Sequence, residues 1–140
     1  MKILVAADGS SYTKRMLAYL AAHDEWLGPQ HSYTVLTVVQ PVPPRAAAVL
    51  AKDVLNAHYD EEAEKVLKPI RTFLGKQGLS ASFVSKTGPV AETIAAAADK
   101  GKYDLLMMGS HGHGSLGNLV LGSVATKVMA QCGTPVLLVR

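Results

Sequence analysis

Four short stretches of this chain are apolar almost without interruption: Ile3 to Ala7, Tyr33 to Val39, Tyr103 to Met108 and Val136 to Val139. A strand that faces solvent on one side alternates polar and apolar residues. Continuous apolar runs of this length instead suit strands covered by helices on both faces of a parallel sheet. A fifth run, Ala81 to Lys86, mixes Phe83 and Val84 with Ser82 and Ser85, which predicts a less buried strand at a sheet edge.

The segments between these runs carry helical spacing. After Ser10 or Ser11, either able to cap, Met16, Leu17, Leu20 and Ala21 form one stripe, and Gly28-Pro29 is expected to end it. From Leu50 to Leu74 a longer stripe passes through Val54, Leu55, Tyr59, Ala63, Val66, Leu67, Ile70 and Phe73. Pro69 falls inside it and predicts a kink or a break. A third helix is expected from Pro89 to Lys100, with proline in a first turn. The last is expected from Ser123 to Gln131, burying Val124 and Val128, before Gly133-Thr134-Pro135. The order β-α-β-α-β-α-β-α-β predicts a single α/β domain over residues 1–140, with a doubly wound parallel sheet and right-handed crossovers. Gln40 to Ala48, with Pro41, Pro43 and Pro44, reads as a loop and as the mobile part of the chain.

Composition narrows the function. With 49% hydrophobic and 18% charged residues in 140, the chain reads as a soluble globular domain. Its net charge of +3 comes without a Lys/Arg run or interleaved aromatics, which argues against nucleic-acid binding. Asp104 is the last acidic residue, so the C-terminal stretch can host an anion with little repulsion, although a buried strand and helix explain part of that scarcity. Cys132 is the single cysteine, which rules out an intramolecular disulfide and fits a reducing compartment. Asp8-Gly9-Ser10 interrupts the apolar N-terminus too early for a signal peptide, and no apolar stretch is long enough to span a bilayer. A cytoplasmic location is expected.

The most informative stretch joins the fourth strand to the last helix. Five glycines, at 109, 112, 114, 117 and 122, lie in it. Glycine permits positive φ and lets a ligand approach the backbone, so that successive amides can cradle phosphate beside a helix N-terminus. Two familiar phosphate motifs fail here. Gly117 to Gly122 has P-loop spacing, but Ser123 stands where lysine is required. Gly112-His113-Gly114-Ser115-Leu116-Gly117 matches GxGxxG, yet no acidic residue follows to hold a ribose.

A third pattern fits: Gly109, Gly112, Gly122 and Ser123 give G-x2-G-x9-G-S. It resembles the ATP-binding signature of the universal stress protein family. Ile3 to Ser10 resembles that family's first strand and its Asp-bearing loop, and Gly133 to Val139 resembles its last strand. The resemblance covers essentially the whole chain and implies a five-stranded sheet of order 3-2-1-4-5.

It also implies a set of nucleotide contacts. Asp8 would sit near the ribose or adenine with Ala7 beside it, and Val38 would offer its backbone to the adenine. Met108, Gly109, His111 and Gly112 would wrap the ribose and phosphates. Gly122, Ser123 and Val124 would meet the phosphates through amides and the Ser123 hydroxyl. Mg2+ would be carried on the phosphates. Where the family often has Arg or Lys in this loop, this chain has His113.

Simpler roles compete at several positions. Asp8 can be an N-cap or turn residue and Ser123 an N-cap; capping and phosphate binding use the same amides. His111 and His113 are spaced as H-x-H, but no third metal ligand is evident nearby. Met107 and Met108 read as strand core and Cys132 as a buried spectator. Three functional readings follow: a nucleotide-dependent regulatory module in stress response, a slow ATPase or phosphoryl or adenylyl transferase, and an interaction module without nucleotide. An enzyme needs a base beside the phosphates, and only Asp8, His111 and His113 are candidates. Val136 to Val139, an apolar strand at the outer edge, predicts antiparallel pairing with a second copy into a homodimer.

Overall fold

A computed structural model describes residues 1–114 and 120–140. Its strands are β1 (Lys2–Ala6), β2 (Ser32–Val39), β3 (Ala81–Thr87), β4 (Leu105–Gly109) and β5 (Val136–Val139), and its helices α1 (Ser11–Ala22), α2 (Pro44–Val49), α3 (Lys52–Lys76), α4 (Val90–Lys100) and α5 (Ser123–Gln131). The strands form one parallel sheet of order β3-β2-β1-β4-β5.

Alternation along the central strands divides the core in two. Ile3 and Val5 of β1 point to one face with Met107 of β4, where Met16, Leu17 and Leu20 of α1 and Leu67, Ile70 and Leu74 of α3 cover them. Leu4 and Ala6 point to the other face with Leu106 and Met108, against Ala91, Ile94 and Ala98 of α4 and Ala125 and Val128 of α5. This double coverage is the physical reason the central runs are apolar throughout. β3 lies at an edge, with its residues half-buried or exposed, as its mixed composition predicts.

Four expectations differ from the structure. α1 stops at Ala22, short of Gly28-Pro29. The His23 amide bonds the Leu20 carbonyl at 3.4 Å, and the chain then turns so that Leu27 plugs the core with 0% exposure. Of the kink or break expected at Pro69, the break does not occur: α3 runs for 25 residues, and Leu67, Ile70 and Leu74 on either side share one buried stripe. Within the expected loop from Gln40 to Ala48, Pro44 starts the short helix α2, none of whose residues is buried. The proline there fits a first helical turn. β4 also begins two positions later than its apolar run, at Leu105.

Candidate functional site

β1 connects toward β2 on one side and β4 toward β5 on the other, so the winding reverses between two adjacent strands. Open α/β sheets bind ligands outside the carboxyl ends of the strands at such a point. A cleft of about 770 Å³ lies there. Its lining includes Ala7 and Asp8 after β1, Val38 in β2, and Met108, Gly109, His111 and Gly112 at the end of β4 and beyond it. Gly122, Ser123 and Val124, where α5 begins, complete the ten positions singled out from sequence. The volume is within the range of small-molecule pockets.

The turn after β1 is tightly determined. Asp8 Oδ1 accepts from the Ser10 amide and from the Thr13 hydroxyl, each at 2.9 Å, while the Thr13 hydroxyl accepts from the Asp8 amide at 3.1 Å. Ser10, not Asp8, is the N-cap of α1, its hydroxyl accepting from the Thr13 amide at 3.4 Å. Gly9 between them has φ +77°, which explains glycine there.

The signature glycines serve close packing inside the protein. A Cβ on Gly109 would stand 2.7 Å from Cβ of Tyr12, and one on Gly112 would stand 2.7 Å from Oδ2 of Asp8. One on Gly122 would meet the backbone of Ser110 and His111, and the Gly122 amide donates to the Ser110 carbonyl at 2.8 Å. Gly122 is the N-cap of α5, so Ser123 is its first helical residue. Helix geometry leaves the first-turn amides of Ser123, Val124 and Ala125 without intrahelical acceptors, and these three residues line the cleft. Residues 115–119, which include Gly117, lie outside the described part of the loop.

The two loop histidines take different partners. His111 Nδ1 is 2.8 Å from the Ser110 hydroxyl, and its ring lies 4.9 Å from that of Tyr12. His113 Nε2 is 2.7 Å from the Asp8 carbonyl; a carbonyl only accepts, so Nε2 carries the proton. Among the described residues no three His, Cys, Asp or Glu side chains gather as a metal site.

Sequence reading missed the wall that α3 contributes: His58, Glu62 and Lys65 also line the cleft. Lys65 Nζ lies 2.9 Å from Glu62 Oε1. This hydrogen bond holds the Glu62 carboxyl below and the Lys65 ammonium above their ordinary pKa values. The spacing 58, 62, 65 marks one helical face, but only tertiary packing turns it toward the cleft.

A model of the universal stress protein family matches residues 1–140. The Thermus aquaticus universal stress protein in the QAH/OAS sulfhydrylase 3' region is 36% identical over 138 residues, covering 99% of this chain and 97% of its own. The solved structure of MJ0577 from Methanocaldococcus jannaschii superposes with a TM-score of 0.81 at 27% identity, over 99% of this chain and 94% of that one. A universal stress protein from Archaeoglobus fulgidus, solved in complex with dAMP, superposes with a TM-score of 0.69 at 21% identity, over 100% and 98% of the two chains. Matched along its whole length by sequence and by fold, the chain belongs to the universal stress protein family.

Proposed function

We propose that this chain binds ATP in the cleft between β1 and β4 and acts as a nucleotide-dependent regulatory module in stress response. The observation that carries the proposal is convergence: the ten positions named from sequence, scattered over three strand ends and a helix start, line one cleft. The dAMP complex of the Archaeoglobus relative supports an adenine nucleotide as the ligand class.

In this reading Val38 meets the adenine through its backbone, Asp8 and Ala7 flank the adenosine, and Met108, Gly109, His111 and Gly112 enclose ribose and phosphate. The first-turn amides of α5 and the Ser123 hydroxyl hold the phosphates, helped by the partial positive charge of the helix end. Hydrogen bonds to charged groups contribute about 1.5–3 kcal/mol each, so three or four account for micromolar affinity, about −8 kcal/mol. Mg2+ would travel on the phosphates and neutralise part of their charge. Occupancy would change what the surface around the cleft can bind. The module would work in the cytoplasm as a homodimer paired through β5, whose Val136, Leu137 and Leu138 are half-buried at the sheet edge. Light scattering after size exclusion tests the pairing, and a clean monomer at micromolar concentration removes it.

The test of the site is calorimetric titration of MgATP into the wild type and into Ser123→Glu. A carboxylate at the first helical position stabilises the helix end but repels phosphate. Micromolar binding weakened by about tenfold or more in the variant, with no loss of thermal stability, supports the site. No binding to the wild type sinks the nucleotide reading and leaves an interaction module in its place.

A further inference from the structure

We infer that Lys65 supplies the permanent positive charge for the nucleotide's polyphosphate, with Glu62 competing for it, so that this pair sets the preference for ATP over AMP. The inference rests on the nucleotide reading above and concerns how that site is regulated.

The loop from Gly109 to Ser123 contains no Lys or Arg. Its amides and the helix end offer only partial charge, whereas a magnesium-bound triphosphate remains a net anion. Among the described residues lining the cleft, Lys65 is the one Lys or Arg, and it comes from a different element, α3. Two contacts bring α3 and the loop to the same turn. Cγ2 of Val66, the residue after Lys65, lies 3.4 Å from where a Cβ on Gly9 would sit, and His113 of the loop reaches the carbonyl of Asp8. Lys65 therefore lines the cleft from the helix that packs on the Asp8–Gly9 turn, the turn to which the loop is also tied through His113.

Glu62 makes the charge exchangeable. The Lys65–Glu62 pair is 63% and 40% exposed, and pairs in such surroundings stabilise little. A polyphosphate offers the lysine several anionic oxygens at once and a stronger field than one carboxylate. When Lys65 turns to it, His58, one helical turn before Glu62 on the same face, remains beside the carboxylate. AMP, whose single phosphate is held by the loop amides, makes no demand on Lys65.

The test is titration of MgATP and of AMP into the wild type, Lys65→Met and Glu62→Gln, all side chains that suit a helix. The expected result for Lys65→Met is a loss of about tenfold for ATP, the equivalent of one charge-assisted hydrogen bond, and less than about twofold for AMP. Glu62→Gln is expected to tighten ATP by about twofold to threefold, by releasing the lysine from an exposed ion pair. Equal losses for both nucleotides, or unchanged ATP binding in Lys65→Met, overturn the role of Lys65. Weaker ATP binding in Glu62→Gln overturns the competition. A wild type that binds neither nucleotide fails at the earlier step, the nucleotide reading itself.

Discussion

Gly112 packs against the Asp8 carboxylate so closely that a Cβ at position 112 would stand 2.7 Å from Oδ2. The carboxylate has little room to yield, because its other oxygen holds the Ser10 amide and the Thr13 hydroxyl at the start of α1. Gly112→Ala should therefore destabilise the protein by about 1–3 kcal/mol in urea titration, the usual cost of overpacking. In an Asp8→Ala background the obstacle is gone, and the same substitution should cost less than about 0.5 kcal/mol. Equal costs in both backgrounds would show that the crowding lies elsewhere.

Gly122 is held differently. Its absent Cβ would stand 3.0 Å from Cα of His111 and 3.1 Å from the Ser110 carbonyl oxygen. Both are backbone atoms and no side-chain rotation relieves them. Gly122→Ala should cost more than Gly112→Ala, at least about 2 kcal/mol, and Asp8→Ala should leave that cost unchanged. A bulkier Gly122→Val disturbs the loop anchor as well as the cleft, so its effect on binding mixes the two. Ser123→Glu, on an exposed residue, isolates the site.

Much of this was legible in sequence, for identifiable reasons. β1, β2 and β5 were readable because each is a single apolar run, and α5 because Gly122 and Gly133 bracket it. The strand order came from the family resemblance, carried mainly by Gly109, Gly112, Gly122 and Ser123. What escaped depends on tertiary contacts. Pro69 looks like a helix breaker until Leu67, Ile70 and Leu74 are seen buried on one continuous stripe. Gly28-Pro29 looks like the end of α1, yet the chain leaves the helix at His23 to insert Leu27 into the core. Proline spacing hid α2, whose run from Pro44 through three alanines is itself helix-compatible. Nothing in the pattern of α3 distinguishes a cleft-facing Lys65 from any solvated lysine.

Asp99 secures the approach to β5. Its carboxylate accepts from the Thr134 hydroxyl at 2.8 Å, the Thr134 amide at 3.1 Å and the Gly133 amide at 3.2 Å. The Thr134 hydroxyl first, then the Gly133 amide, hold its pKa below the ordinary carboxylate value. A depressed folded-state pKa means that the stabilisation is complete above the unfolded pKa and is lost as pH falls through the lower, folded value. Asp99→Ala should therefore be less stable than wild type at neutral pH, with the gap closing in acid below about pH 4. Parallel urea titrations across that range check it; a gap that widens in acid contradicts the assignment. Because the turn feeds the edge strand, the same variant should shift any dimer toward monomer.

Pro69 provides the last test, since it sits in α3 one turn after Lys65 and has no N–H to give to the Lys65 carbonyl. An interior proline costs a helix about 3 kcal/mol relative to alanine, and the ring is exposed here, with no core contact of its own to offset that cost. The unfolded chain recovers some of the difference, because proline restricts it more than alanine does. Pro69→Ala should consequently stabilise the protein by about 1–3 kcal/mol, read as a higher urea midpoint at unchanged slope. The new amide would also tie down the backbone beneath Lys65 without touching its side chain. Affinity for MgATP should then change by less than about twofold, within the effect of an exposed ion pair. A stabilised variant that loses ATP selectively would instead mean that the freedom of this turn, and not only the charge of Lys65, serves the polyphosphate.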